Sequence, residues 1–199
     1  MDPYITRDII EISVALTGYR PGKLPFGYDL NHPCAIRLRA LLKTEFERLI
    51  LAGCRRFCTG GALGVDMLAA EVILELMEEY EGKIKIMHQL CIPCEEHFAK
   101  WRDEERQRFF GIATRSTCYY VSHKPYFNGC MQQRNKYMVD TCRIVIAVYD
   151  GQKGGTHNTV EYAKEQNRHL IIIDPKQFTR LELIGTPGDV DMMDKMNKF

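Results

Sequence analysis

The chain has 199 residues and a net charge of +1, from 27 lysines and arginines against 26 aspartates and glutamates. A near-neutral chain has no bulk electrostatic attraction to nucleic acids or membranes, so we expect neither as a partner. No apolar run approaches the roughly 20 residues that span a bilayer, and the N-terminus carries acids where a signal peptide would be basic and apolar, so we expect a cytoplasmic protein.

Six short apolar runs predict β-strands. Their residues are apolar at consecutive positions, which is typical of strands that are covered on both faces of a sheet. In chain order the predicted strands cover residues 12–17, 56–59, 84–92, 117–121, 144–148 and 170–173.

Helical spacing of apolar residues predicts five helices between these strands. They cover residues 35–52, 65–80, 97–112, part of 129–142, and 156–167. Strands that alternate with helices are typical of an α/β fold. The sequence therefore predicts a Rossmann-like, doubly wound and mostly parallel sheet of about six strands, with helices on both faces.

The chain is predicted to form one domain. No linker-like, low-complexity or repeated segment divides residues 1–178. After residue 178 the sequence loses clear periodicity, so we expect residues 179–199 to be a C-terminal extension that is peripheral or partly mobile.

The eight cysteines are predicted to be reduced thiols. A full-size core is available and no secretory signal is recognisable, so buried free thiols are favoured over a disulfide framework. Cys58, Cys91 and Cys118 lie in apolar, strand-like runs. Cys91, Cys94 and His97 have the spacing of three zinc ligands, but no fourth ligand stands at a recognisable spacing. We therefore expect no metal site.

Two predicted strands run into glycine turns that precede helices. Such a turn leaves unpaired backbone N–H groups and the positive end of a helix dipole facing one point, which suits a phosphate. In a doubly wound fold the ligand lies at the carboxyl ends of the strands, where Gly18, Tyr19 and Arg20 follow the first strand. The turn residues predicted to bind the ligand are Gly60, Gly61, Ala62 and Gly64, and Gly154, Gly155 and Thr156. The pattern predicts a ligand with a phosphate and a sugar. Tight strand-to-helix turns without a ligand are the alternative.

Neither glycine turn matches a familiar cofactor fingerprint. A dinucleotide fingerprint follows the first strand of its unit, with an acidic residue about 20 positions later. Here the glycine-rich turn at residues 60–64 follows the second strand. The G-K-[ST] of a phosphate-binding loop for Mg-ATP is missing as well. NAD-dependent hydride transfer is therefore disfavoured, and we expect no cofactor.

Five side chains near these turns have two interpretations each. Asp66 and Asp150 either bind ribose hydroxyls or stabilise the backbone at a helix start and in a loop. Tyr19 and Trp101 either stack on a base or pack in the core. For Arg20, a phosphate ligand is favoured over a solvated loop residue.

Four motifs in chain order resemble the YpsA-type branch of the SLOG superfamily, over roughly residues 12–175. They are TGYRP (17–21), TGGALGVD (59–66), RNKYMVD (134–140), and AVYDG (147–151) with GGT (154–156). SLOG proteins include LOG phosphoribohydrolases that act on nucleoside monophosphates, the DNA-loading protein DprA, and sensor domains for nucleotide or NAD-derived signals. The resemblance implies a Rossmann-like domain with a nucleotide-type ligand, in a homodimer or higher homo-oligomer.

The chain matches the two catalytic motifs of LOG enzymes, M-x-x-R-K and G-G-x-G-T-x-x-E, in part. The matching residues are Met131, Arg134, Gly154, Gly155 and Glu161. Asn135 replaces the Lys, His157 the third Gly and Asn158 the Thr. The resemblance implies that Arg134 and Glu161 form a catalytic pair, with Asn135 beside the ligand. In such a pair the carboxylate stabilises oxocarbenium character on the ribose, and the arginine orients the substrate.

The sequence supports two functions from different classes. The first is binding of a nucleotide or an ADP-ribose-like ligand, either NAD-derived or a cyclic nucleotide, as a sensor, regulator or sequestering protein. The alternative is a phosphoribohydrolase that cleaves the N-glycosidic bond of a nucleoside monophosphate or related nucleotide. The incomplete catalytic motifs favour binding.

Overall fold

The strands form one sheet in the computed structural model, which describes residues 5–185. They are β1 (Ser13–Gly18), β2 (Arg56–Thr59), β3 (Met87–Ile92), β4 (Thr117–Tyr120), β5 (Ile144–Val148), β6 (His169–Ile173) and β7 (Arg180–Leu183). Their order across the sheet is β4-β3-β2-β1-β5-β6-β7. The first six are parallel to their neighbours, and β7 is antiparallel to β6. The predicted Rossmann-like α/β fold is confirmed.

Helices connect the strands and cover the sheet. They are α1 (Arg7–Glu11), α2 (Pro33–Leu51), α3 (Val65–Glu79), α4 (Asp103–Ala113), α5 (Cys130–Asp140) and α6 (Gly155–Glu165), with a 3-10 helix at Pro21–Lys23. Helix α3 packs against α2 and α4, and α5 packs against α6. Right-handed crossovers in opposite directions place α2 and α6 on opposite faces. Within residues 5–185, no helix is both long and apolar enough to cross a membrane.

The central strands β1 and β5 set the position of the site. Every residue of β5 is at most 2% exposed, and burial of each large aliphatic side chain contributes roughly 1.5–3 kcal/mol. The strands that follow β1 in the chain lie on one side of it, toward β4, and the strands that follow β5 lie on the other side, toward β7. The loops after β1 and β5 therefore diverge, and a crevice opens at the carboxyl ends of these two strands.

One predicted helix starts later than expected. The prediction of a helix from residue 97 is wrong, because α4 begins at Asp103. Ahead of it the His97 and Trp101 rings pack edge to face, 4.8 Å apart, and both contact Phe109. The helix begins where three acidic residues can interact with its positive end. One of them, Glu105, accepts a hydrogen bond of 2.9 Å from the Arg102 N–H.

The seventh strand lies in the segment predicted to be an extension. Charged side chains hold β7: Arg180 Nε donates to Glu45 on α2 (2.8 Å), and Glu182 bonds to His169 on β6 (2.7 Å). Residues 180–183 of the predicted extension are thus part of the sheet. Residues 186–199, to which the expectation of mobility also applies, lie outside the described residues.

All eight cysteines are free thiols, as predicted. Six are buried, but Cys118 is exposed because β4 is the edge strand of the sheet. Within residues 5–185, no group of three or more His, Cys, Asp or Glu side chains is placed to hold a metal ion. His97 instead forms a hydrogen bond of 3.2 Å with the Gly61 carbonyl through Nε2.

A fully buried imidazole joins β3 to the end of β2. His88 Nε2 lies 2.9 Å from Thr59 Oγ1, and Nδ1 lies 2.6 Å from Ser116 Oγ. Because the Ser116 hydroxyl donates to the Ile112 carbonyl, it accepts from His88 Nδ1–H, and Nε2 accepts from Thr59. Both nitrogens are satisfied by the neutral ring. Burial lowers the pKa of His88 from 6.5 to about 3.

We expect acid to destabilise the protein through His88. Below pH 6.5 the unfolded imidazole binds a proton that the folded one does not, so stability falls as the pH drops from 6.5 toward 3. The free energy of unfolding by urea should be about 2 kcal/mol lower at pH 5 than at pH 7 from this residue. The variant His88→Gln should lose this component. An equal loss in the variant and the wild type would contradict the assignment.

Candidate functional site

A cleft of about 290 Å³ opens at the carboxyl ends of β1 and β5. It brings together most of the residues that the sequence predicted to bind a ligand. The predicted residues that line it are Gly18, Tyr19, Arg20, Ala62, Asp66, Arg134, Asn135, Gly154, Gly155 and Thr156. Its position is that expected for a ligand site in a doubly wound sheet.

The N-terminus of α6 faces this cleft without an internal cap. Its N-cap residue, Gly154, provides no side-chain hydrogen bond, and Gly154, Gly155 and Thr156 all line the cavity. The first N–H groups of a helix have no partner within the helix, and the helix dipole adds partial positive charge there. This end of α6 is therefore suited to bind an anion.

The N-terminus of α3, by contrast, is occupied by the protein's own groups. Val65 N–H donates to the Tyr19 carbonyl (3.2 Å), and Asp66 Oδ2 accepts from the Ala62 N–H (3.3 Å). Gly64 has a φ of +98°, and a Cβ there would lie 2.5 Å from the Tyr19 oxygen. The first glycine turn therefore packs against the loop after β1, and Gly60, Gly61 and Gly64 do not line the cleft.

A buried ion pair forms the floor of the cleft. Arg134 Nη1 lies 3.4 Å from Asp66 Oδ2, and both side chains are at most 7% exposed. A Cβ on Gly60 would overlap the Arg134 guanidinium, so this glycine makes room for the arginine. Burial raises the pKa of Asp66, although the charges of Arg134 and Arg20 oppose the shift. Arg134 Nε is buried and has no partner in the described residues.

Two further cations stand at the rim. Arg20 is exposed and makes no hydrogen bond or ion pair within residues 5–185, so its guanidinium is available. Lys23 Nζ donates to the Lys153 carbonyl (3.1 Å) and lies 5.0 Å from the centre of the Tyr19 ring. The cleft is thus lined by three cations and one carboxylate, Asp66.

Asp150 lies behind Tyr19 rather than in the cleft. The Tyr19 hydroxyl donates to Asp150 Oδ1, and Lys176 Nζ lies 2.6 Å from Oδ2. These two partners, with Lys176 first, lower the pKa of Asp150 to about 2. Burial and the Asp150 carboxylate raise the pKa of Tyr19 to about 12. Among the two interpretations of Asp150, its contacts match the structural one.

Glu161 and Trp101 also lie away from the cleft lining. Glu161 is 46% exposed on α6 and pairs with Lys164 (2.7 Å), which lowers the pKa of the carboxyl. Arg134 and Glu161, the pair implied by the LOG motifs, are therefore not brought together at the cavity. Trp101 packs in the aromatic cluster around Phe109. The His157 ring lies toward Tyr149, with 6.4 Å between their centres, and does not line the cleft.

Four lining residues were not among the predicted ones: Thr17, Gly22, Lys23 and Met131. Lys23 is three residues after Arg20 in the same loop, so a basic pair after the first strand was the available signal. Met131 was recognised only as part of a motif. The start of its helix at Cys130 does not by itself indicate that Met131 faces the cleft.

Comparisons with known proteins give a matching family model and similar sequences. The protein-family model YpsA, described as the YspA SLOG family, matches residues 14–178. The chain is 32% identical over 149 residues to an uncharacterized SPbeta prophage-derived protein, YoqJ, of Bacillus subtilis, covering 68% of this chain and 85% of that protein. It is 24% identical over 165 residues to the UPF0398 protein YpsA of Bacillus subtilis, covering 79% and 89%.

Two solved structures share the fold. DNA processing protein A from Helicobacter pylori, whose single-stranded DNA binding mode has been described, matches with a TM-score of 0.55 and 21% identity, over 96% of this chain and 80% of that one. DNA processing protein A from Streptococcus pneumoniae matches with a TM-score of 0.57 and 15% identity, over 93% and 54%. At these identities the likeness concerns the fold alone.

Two glycine substitutions should separate a structural glycine from one that borders open space. We expect Gly60→Ala to lower the free energy of unfolding by about 1–3 kcal/mol, because the new methyl group overlaps the buried Arg134. Gly155→Ala meets no atom within 4 Å, so it should leave stability unchanged or raise it by up to about 1 kcal/mol. Urea unfolding at pH 7 measures both. Equal effects of the two substitutions would refute this distinction.

Proposed function

Because the chain belongs to the YpsA family of SLOG proteins, we propose that it binds a nucleotide or an ADP-ribose-like ligand in the cleft between β1 and β5. The observation that carries this proposal is the uncapped N-terminus of α6, faced by Arg20 and Lys23. The role that fits is that of a sensor, regulator or sequestering protein. The homodimer or higher homo-oligomer implied by the family resemblance stays a prediction.

The phosphate of the ligand is assigned to the α6 end of the cleft. Gly154 and Gly155 have no side chains that would block an anion, and the first N–H groups of α6 are unpaired donors. Arg20 supplies a guanidinium that can make two parallel hydrogen bonds to a phosphate. The Lys23 ammonium adds a second positive charge on a flexible side chain. Its hydrogen-bond acceptor in the structure is the backbone carbonyl of Lys153.

The sugar is assigned to the opposite wall, near Asp66. A carboxylate accepts hydrogen bonds from hydroxyls, and here it is the only acidic side chain at the cleft in the described residues. Arg134 fixes its position and neutralises it, so an anionic ligand is not repelled. A volume of about 290 Å³ lies at the lower end of small-molecule sites, which start at about 300 Å³.

Removal of the free arginine should weaken binding. We expect Arg20→Ala to raise the dissociation constant of a phosphate-bearing nucleotide by about 10-fold to 100-fold, since a hydrogen bond to a charged group contributes about 1.5–3 kcal/mol. Isothermal titration with AMP, ADP-ribose, NAD and cyclic nucleotides measures this. The matched control is Arg115→Ala, which removes a half-exposed arginine paired with Glu78. Failure of all four ligand types to bind a folded wild-type protein would overturn the proposal.

Cleavage of an N-glycosidic bond is the second candidate function. The observation in its favour is that Asp66 lines the cleft beside Arg134, which lies 3.4 Å from its carboxylate. A carboxylate there would face the ribose and stabilise the oxocarbenium character that develops as the bond to the base breaks. In this proposal Asp66 takes the part that the family motif assigns to Glu161.

Under this second proposal, substitutions of Asp66 and of Glu161 should affect the release of free base differently. We expect Asp66→Asn to abolish release of free base from a nucleoside monophosphate, whereas Glu161→Gln should leave the rate unchanged because its carboxylate lies outside the cleft. Chromatography of the nucleotide after incubation measures both rates. The reverse result, loss of activity with Glu161→Gln alone, would return the catalytic role to Glu161. No base release by the wild type would remove this candidate function.

A further inference from the structure

A second cavity lies next to the cleft, in the groove between α5 and α6. It has a volume of about 60 Å³ and is lined by residues of the two helices, among them Lys136 and Asn158. Asn135 and Gly155 line both cavities, so the groove begins where the proposed phosphate site ends. The groove and the cleft are therefore adjacent.

The boundary between the two cavities is held by hydrogen bonds. Asn135 Nδ2 donates to Thr159 Oγ1 (2.8 Å), and the Thr159 hydroxyl donates to the Gly155 carbonyl (2.9 Å). These bonds tie α5 to the first turn of α6. They hold the Asn135 side chain against α6. Gly155, which lines both cavities, has no Cβ, and the space that a Cβ would occupy is open.

The far end of the groove carries a positive charge on a fixed aromatic ring. The Lys136 ammonium lies 5.0 Å from the centre of the Tyr162 ring. The Tyr162 hydroxyl donates to Asp140 Oδ1 (2.9 Å), which fixes the ring. Lys136 itself forms no ion pair within residues 5–185, so its charge is available to a ligand.

The distance between the two positive sites selects the size of the ligand. Tyr162 follows Gly155 by seven residues on one helix, which corresponds to about 10 Å at 1.5 Å per residue. A single phosphate at the start of α6 does not extend to Lys136. A phosphate that bears a second phosphate and a sugar does.

We propose that the groove is a second subsite for a nucleotide extended through its phosphate by a further polar, anionic group. This inference rests on the proposed function, because it takes the first phosphate to bind at α6. The ligand class is a nucleoside diphosphate with a second sugar, of which ADP-ribose is the simplest probe. A nucleoside monophosphate occupies the cleft and leaves the groove free.

Titration calorimetry with AMP and ADP-ribose tests the subsite. We expect wild-type protein to bind ADP-ribose at least tenfold more tightly than AMP. Lys136→Ala should weaken ADP-ribose binding by about fivefold, as expected for the loss of one hydrogen bond to a hydroxyl of the second sugar, and leave AMP binding unchanged. The control Lys164→Ala, on α6 but outside the groove, should change neither.

A second variant fills the groove without removing charge. Asn158 is an exposed residue on its wall, and Asn158→Phe should reduce ADP-ribose affinity to that of AMP. Equal wild-type affinities for the two ligands, or a preference that neither Lys136→Ala nor Asn158→Phe reduces, would overturn the second subsite. That result differs from failure of the proposed function, in which AMP and ADP-ribose do not bind or Arg20→Ala leaves their affinities unchanged.

Discussion

The reversal of strand order between β1 and β5 is the constraint on which the site depends. The two strands pair in parallel along their whole length, from Val14–Ile144 to Gly18–Val148. The chain leaves them in opposite directions across the sheet. This arrangement opens a crevice at their carboxyl ends. It also brings Lys23 to Lys153, 130 residues away in sequence, within hydrogen-bond distance.

The two glycine turns beside the crevice have different tasks. The turn before α3 is closed by the protein itself, since the Tyr19 carbonyl accepts from the Val65 N–H and the Asp66 carboxylate accepts from the Ala62 N–H. The turn before α6 keeps its donors open. One turn thus fixes the loop after β1 and the buried Asp66, and the other receives the anion. The same local feature, a short glycine turn at a helix start, thus serves positioning in one case and binding in the other.

The buried pair of Arg134 and Asp66 is costly to maintain. Two charges taken out of water lose more hydration energy than a pair at 3.4 Å readily restores, as the raised pKa of Asp66 indicates. The unpartnered Arg134 Nε adds to this cost. A charge arrangement that stability alone does not favour is typical of a functional site, which supports the assignment of the cleft.

The sequence by itself determined the fold class, the family and the backbone of the site. The strands at 56–59 and 144–148 were predicted to the residue. At 144–148 an uninterrupted apolar run leaves little freedom, and at 56–59 the glycine turn that follows marks the end of the strand. The glycine turns followed from local backbone chemistry. Only the tertiary structure decided which side chains face the cleft. It placed Lys23 at the rim, Asp150 behind Tyr19 and Glu161 on an exposed face of α6. The helical pattern from residue 97 to 102 was likewise overridden by aromatic packing. The physical reason is that a local motif fixes backbone conformation, whereas the direction of a side chain depends on packing and charges contributed by elements distant in the chain.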